Sequence, residues 1–209
     1  MSISEPTTLV TDYLLAGVTG WLAVLLLRNS ESQDSRKSWA AAFAALALGA
    51  FLGGTWHGFF QHAFLWKATV LAVGAASFAM VAGSAIATLS GAARKLVLGL
   101  ALIKLLIYGG WMMVRDDFIF VVVDSGAAFA VVAALHLWKW NGFLLGGVAL
   151  SVVGALIQAS GFSLHPHFNH NDLYHVIQIA AMALLYQGAR RLSDARAPTP
   201  VPPAAGWRP

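Results

Sequence analysis

Long apolar segments, each close to twenty residues, follow one another along almost the whole chain and are joined by short polar links. A membrane-spanning helix needs about 20 predominantly apolar residues, because the hydrocarbon core of a bilayer is roughly 30 Å thick. Hydrophobic residues make up 58% of the 209 residues and charged residues only 11%, which is too apolar for an ordinary soluble domain. The sequence therefore predicts a polytopic membrane protein of about seven helices without a separate soluble domain.

The predicted segments are bounded by polar, basic or glycine residues. They span 9–27, 39–60, 66–89, 96–114, 118–137, 142–160 and a last run that opens in the histidine-rich stretch 165–175 and ends near Gln187. We expect residues 1–189 to form one all-α bundle of seven transmembrane helices. Residues 190–209 are basic and then rich in Pro and Ala without an apolar face, which is typical of a disordered, solvent-exposed tail.

The distribution of charge predicts the orientation in the membrane. Most of the thirteen Lys and Arg fall on one side of the predicted spans, whereas the other side has only Lys67 and Arg115. By the positive-inside rule the amino terminus is outside and the carboxyl terminus is cytoplasmic. The basic residues stand at helix ends rather than in one cluster, so we expect no nucleic-acid partner. The expected location is a bacterial inner (plasma) membrane, with membrane lipids as partners.

Polar side chains are concentrated where the seventh segment opens. The stretch 165–175 contains four histidines, two asparagines and an aspartate, and the predicted topology places it at the same outer face as Asp12 and His57. Polar groups are costly in a membrane, so such a cluster indicates a functional site. The chain has no cysteine, so a metal such as zinc would need His, Asp, Glu or Asn ligands. His57 and His175 can meet across the bundle, with a third ligand from His170 or Asp172.

Helix capping and haem binding are alternative roles for these polar residues. Asn169 or Asn171 can serve as the N-cap of the seventh helix, and Asp12 can cap the first. Histidines on two helices at one membrane face can also hold a haem. Lys104 lies in the middle of a span and needs a partner there, and Asp124 on the next helix is the expected one.

Two helix ends carry residues of a recognisable pattern. His57 follows Gly53-Gly-Thr-Trp at the end of the second segment, and the seventh opens with Leu173-Tyr-His-Val-Ile-Gln. This arrangement resembles the CREST superfamily of seven-helix membrane proteins, which includes alkaline ceramidases, the progestin and adiponectin receptors and Per1-like proteins. In that family a Ser-x-x-x-His on helix two, an Asp on helix three and a His-x-x-x-His on helix seven form the site. Here Gly53 stands at the serine position, Asn171 at the first histidine of helix seven, and helix three begins Trp66-Lys67 without an acid.

The resemblance implies a divergent, ceramidase-like metallohydrolase. Zinc held by His57, His170 and His175 would activate water to attack a lipid amide at the outer face. The general base would be Asp124 or Asp12, because the usual acid is missing. The alternative is a non-catalytic seven-helix membrane sensor, or a lipid-, metal- or haem-binding module, so the sequence leaves open whether the protein is an enzyme.

Overall fold

The computed structural model describes residues 3–195, and these form seven α-helices joined by short links. The helices are α1 (Pro6–Arg28), α2 (Asp34–Gly58), α3 (Ala63–Thr88), α4 (Gly91–Val114), α5 (Ile119–Trp138), α6 (Gly142–Ser160) and α7 (His170–Ala189). Within residues 3–195 there is no β-strand, only an isolated bridge between His165 and Phe168. The all-α fold predicted from the sequence is confirmed.

Six of the helices, α1 to α6, are long and apolar enough to cross a membrane. The last helix, α7, has 20 residues, but its first turns carry His170, Asn171, Asp172 and His175, and it is not one of the six. The fold is thus compatible with an integral membrane protein. The crossing of the membrane by α7 and the orientation of the two termini stay predictions.

The helices form a closed ring with α4 on its outside. In the ring α1 packs against α2 and α7, α6 packs between α7 and α5, and α3 packs between α5 and α2. The peripheral α4 packs mainly on α3 and buries only Ala101, Tyr108 and Met112. Because short links make consecutive helices antiparallel, the starts of α1, α3, α5 and α7 lie at one end with the finishes of α2, α4 and α6. We call this the near end, and the opposite end the far end.

An ion pair anchors the peripheral helix α4 to α5. Nζ of Lys104 contacts the carboxylate of Asp124 and also donates a hydrogen bond to the Asp124 backbone oxygen at 3.2 Å. The Asp124 side chain is only 3% exposed. An unpaired charge at this depth in a membrane would be costly. The structure therefore confirms the predicted pairing of Lys104 with Asp124.

The chain after α7 folds back over the far end and caps α2. The Asp194 carboxylate accepts hydrogen bonds from the N–H groups of Asp34 at 2.8 Å and Ser35 at 2.9 Å, in the first turn of α2. The N-cap residue Gln33 makes no side-chain cap bond of its own, and its Oε1 accepts from the Asp194 N–H at 2.6 Å. Residues 190–195, which the sequence assigned to the tail, are thus part of the fold. The rest of the predicted tail, 196–209, lies outside the described residues.

The contacts of Asp194 change its affinity for a proton. Partial burial alone would raise the pKa of Asp194, but the polar contacts with Ser35 and Asp34 and the positive charge of Arg94 outweigh it and hold the pKa below its usual range. A carboxylate with a depressed folded-state pKa stabilises the fold above the unfolded value of about 4. That stabilisation is lost as the pH falls through the lower, folded-state pKa.

Asp194→Ala should lower the free energy of unfolding by about 1 kcal/mol at neutral pH, since a helix cap is typically worth this much. Thermal unfolding of the detergent-solubilised protein measures the loss, and the difference from the wild type should shrink below about pH 4. Glu31→Ala removes an exposed carboxylate paired with Arg36 beside the same helix and should change stability little. An Asp194→Ala deficit of the same size at about pH 3 and about pH 7 would contradict the capping role.

Candidate functional site

A cavity at the near end is lined by three of the predicted site residues, Asp12, His57 and His175. They come from α1, α2 and α7, which lie far apart in the sequence. The cavity has a volume of about 120 Å³ and is also lined by residues of α3 and α6 and by Phe118 before α5. The alternating direction of the helices brings these three residues to the same end of the bundle.

The imidazole of His175 is held on both sides by α1. Its Nε2 lies 3.1 Å from Oδ1 of Asp12, and its Nδ1 lies 3.0 Å from the hydroxyl of Thr11. Asp12 and His175 are both buried, at 4% and 8% exposure. Because both ring nitrogens have a partner, the orientation of the ring is fixed. The pair Asp12–His175 therefore joins the first helix of the bundle to the last.

The other cavity histidine, His57, lies in the last turn of α2 and contacts Trp56 and the segment that precedes α1. Its Nδ1 lies 3.1 Å from Oε2 of Glu5, which is the N-cap residue of α1. Its ring meets Trp56 edge-on, with ring centroids 5.0 Å apart, and its backbone oxygen accepts a hydrogen bond from the Ser4 hydroxyl. The segment that precedes α1 thus positions the end of α2.

One glycine, Gly54, lets α2 pass close to Asp12. A Cβ atom at Gly54 would lie 2.8 Å from the Cβ of Asp12, so a side chain there would displace Asp12. At Gly53 a Cβ atom would lie 3.8 Å from a carboxylate oxygen of Asp12, which is an ordinary contact. Only small residues permit so close an approach of two membrane helices.

The polar residues in the first turn of α7 have different roles, which the sequence alone did not distinguish. The N-cap is Asn169, whose side chain accepts from the N–H groups of Asn171 and Asp172, while the Asp172 carboxylate accepts from the Asn169 N–H at 2.7 Å. The capping role is thus confirmed for Asn169, with Asp172 completing the cap. Asn171 instead lines the cavity, where its side-chain oxygen accepts from Gln158 at 3.3 Å. The predicted metal ligand His170 is half-buried and does not line the cavity.

The two predicted catalytic carboxylates have different surroundings. Asp12 lines the cavity and is not a helix cap, because α1 begins at Pro6 with Glu5 as its N-cap. Asp124 does not line the cavity, and its carboxylate is paired with Lys104. Of the two, Asp12 is the carboxylate placed to contact a ligand in this cavity.

A protein zinc centre needs three or four ligands around one ion. Across the described residues 3–195, no group of three or more His, Asp or Glu side chains is arranged to hold a metal ion. Asp12 and His175 lie close together, but the predicted third histidine, His170, does not line the cavity. The residues as arranged do not fit the three-histidine centre of the resemblance. Zinc, like haem, stays a prediction from the sequence.

A second, inner chamber of about 240 Å³ lies next to this cavity, deeper in the bundle. Residues of both chambers form a common wall: Leu46, Val73, Phe118, Gln158, Tyr174, Gln178 and Met182. The inner chamber lies between α3, α5, α6 and α7, and most of its lining is apolar. The cavity at Asp12, His57 and His175, which we call the outer chamber, therefore shares a wall with a more apolar chamber deeper in the bundle.

The inner chamber reaches the surface of the bundle between α5 and α6. Gly126 of α5 and Val152 and Leu156 of α6 line the chamber and are also exposed on the outside of the helices. In a membrane this surface faces the acyl chains of the lipids. One side of the inner chamber therefore borders this outer surface of the bundle.

Tyr174 and Gln178 line both chambers but were not predicted from the sequence, although their spacing along α7 indicates it. Asn171, Tyr174, His175 and Gln178 repeat with the three- and four-residue spacing of one helix face. The amide of Gln178 donates to the Ser151 hydroxyl at 3.2 Å, and its oxygen has no partner within the described part of the chain. This face of α7 supplies polar groups to both chambers.

Comparison with known proteins adds a family but no activity. No curated protein matches this chain significantly. Residues 7–194, from the first turn of α1 to the aspartate that caps α2, match a family described only as a family of unknown function, DUF6962. The resemblance to the CREST superfamily stays a prediction. Because the match spans most of its length, the chain belongs to the DUF6962 family.

Proposed function

We propose that this protein is an integral membrane protein that binds one amphipathic lipid, and we expect its location to be the bacterial plasma membrane. The polar head of the lipid lies at Asp12, His57 and His175, and its acyl chain lies in the inner chamber. The observation that carries the proposal is that the chamber containing these three polar side chains shares seven lining residues with an apolar chamber bordering the bundle surface between α5 and α6. A ligand that is polar at one end and apolar at the other matches this shape.

The outer chamber contains both hydrogen-bond donors and hydrogen-bond acceptors. The Asp12 carboxylate accepts hydrogen bonds, while the side-chain amides of Gln158 and Asn171 can both donate and accept. A lipid amide has an N–H donor and a carbonyl acceptor at its head. That is also the substrate class implied by the resemblance to the CREST superfamily, so we propose a lipid amide as the ligand.

The polar head of the lipid should determine how tightly and how selectively the protein binds it. An acyl chain that moves from the bilayer into the inner chamber exchanges one apolar environment for another, so burial of the chain contributes little net free energy. A buried polar group left without a partner costs about 1–3 kcal/mol. A lipid that lacks the hydrogen-bonding head should therefore bind poorly even though its chain fits.

Two neighbouring residues of α6 provide a matched test of the lateral opening. Val152 and Val153 are exposed to similar extents, 40% and 47%, but only Val152 lines the inner chamber. Val152→Trp should reduce the lipid retained through purification at least about tenfold, which corresponds to 1.4 kcal/mol, because the indole fills the opening. Val153→Trp should retain lipid as the wild type does. Native mass spectrometry of protein extracted in mild detergent counts the bound lipid, and equal retention by both variants would contradict the proposal.

A second candidate is the zinc-dependent lipid amide hydrolase implied by the resemblance. The observation that favours it is that His57 and His175, from distant segments, line one cavity together with Asp12. Because the described residues do not assemble three ligands, we derive no reaction step through a metal.

Elemental analysis of the purified protein tests the hydrolase candidate. If it is correct, His57→Ala and His175→Ala should each lower the zinc affinity more than about 100-fold, the upper limit for loss of a group that only supports a ligand. The control is His167→Ala, an exposed histidine of the link before α7, which should keep the metal. The hydrolase candidate would be rejected if the wild type lacked stoichiometric zinc or if both cavity variants retained zinc. Neither result would contradict the lipid-binding proposal.

A further inference from the structure

The far end of the bundle contains a separate and larger cavity, of about 970 Å³, that the proposed function does not use. It lies between the finish of α5, the start of α6 and the segment that follows α7. Its walls include His136, Lys139 and Arg191, and no acidic side chain lines it within residues 3–195. A wall of this charge favours an anionic ligand.

The two cations of this cavity are positioned by aromatic rings. Nζ of Lys139 lies 4.6 Å from the centroid of the Trp138 ring, and the guanidinium carbon of Arg191 lies 4.1 Å from the centroid of Phe143. Neither cation forms a salt bridge with any carboxylate in the described part of the chain. A cation that contacts only a ring face retains N–H donors for an anion.

The buried imidazole of His136 is an independent sign of a ligand. His136 lines the cavity and is 1% exposed, and its Nε2 has no hydrogen-bond partner among residues 3–195. Buried polar atoms without a partner are rare in native structures and costly. An oxygen atom of a ligand in the cavity would supply the missing partner.

The start of α6 adds further donors. Gly142 and Phe143, the first two residues of this 19-residue helix, line the cavity. The first N–H groups of a helix have no acceptor within the helix, and the positive end of the helix dipole attracts anions. The Asn141 side chain accepts from the Leu144 N–H at 3.2 Å, one turn further along. Helix starts of this kind are common sites for phosphate groups.

The position of the cavity identifies the source of the anion. Trp138 and Trp140, exposed at 67% and 75%, lie beside it, and exposed tryptophans at helix ends are typical of the membrane interface. The far end is also where most Lys and Arg are concentrated, and clusters of basic residues next to a membrane attract anionic lipids. We propose that this far-end cavity binds the phosphate head group of an anionic phospholipid, held by Lys139, Arg191 and His136.

The test titrates delipidated, full-length protein in detergent with phosphatidylglycerol and, separately, with phosphatidylcholine, and counts bound lipid by native mass spectrometry. The wild type should prefer phosphatidylglycerol. The double variant Lys139→Gln/Arg191→Gln should bind it about 25-fold more weakly, since each basic residue near an anionic head group is worth roughly fivefold in affinity. The single variant Lys139→Gln changes only an exposed residue and should show about fivefold weakening if the double variant does not fold.

The matched control removes the same charge from the same end. Arg28→Gln/Lys95→Gln changes two cations that do not line the cavity and should leave the affinity within about threefold of the wild type. Equal weakening in the two double variants would overturn the proposal in favour of unspecific surface attraction. Full competition by inorganic phosphate alone would also overturn it, because the ligand would then be a free anion rather than a lipid.

Discussion

Asp12 of α1 and His175 of α7 meet inside the bundle, with 3.1 Å between Oδ1 of the carboxylate and Nε2 of the imidazole. A carboxylate and an imidazole buried in a membrane bundle are costly unless each satisfies the other. Here α1 provides the carboxylate for one ring nitrogen and the Thr11 hydroxyl for the other. The pair joins α1 to α7 and so closes the ring of helices at the near end. It also fixes two of the polar groups that line the outer chamber. The same contact therefore stabilises the fold and positions the candidate site.

The two ends of the bundle differ in chemistry. At the near end, Asp12, His57 and His175 line one chamber that borders a more apolar one, an arrangement that suits an uncharged lipid head and its chain. At the far end, Lys139 and Arg191 line a wide cavity that fits an anion at the membrane interface. The middle of the bundle carries few charges, and the main exception, Lys104, is neutralised by Asp124. We infer two sites for two kinds of lipid head group.

Much of the fold could be predicted from the sequence, because each apolar run is close to the length of a membrane span. The meeting of Asp12, His57 and His175 also follows from helix order, since alternating directions place them at one end. The place of His170 could not be predicted. It depends on α7 beginning directly after Asn169, which makes His170 the first helical residue and leaves it off the cavity. The inner chamber could not be predicted either, because it results from how α3, α5, α6 and α7 pack around one space, which no local pattern encodes.

In the proposed complex an acyl chain occupies the inner chamber while its head lies at Asp12, His57 and His175. Photo-crosslinking with a lipid amide that carries a diazirine at the end of its chain can locate that chain. We expect labels on Val122, Phe129 and Leu156, which line the chamber, and we expect Val152→Trp to abolish the labels on Val122 and Phe129. Labels confined to outward-facing residues of α4, such as Leu106 and Ile107, would show that the lipid stays outside the bundle and would contradict the account.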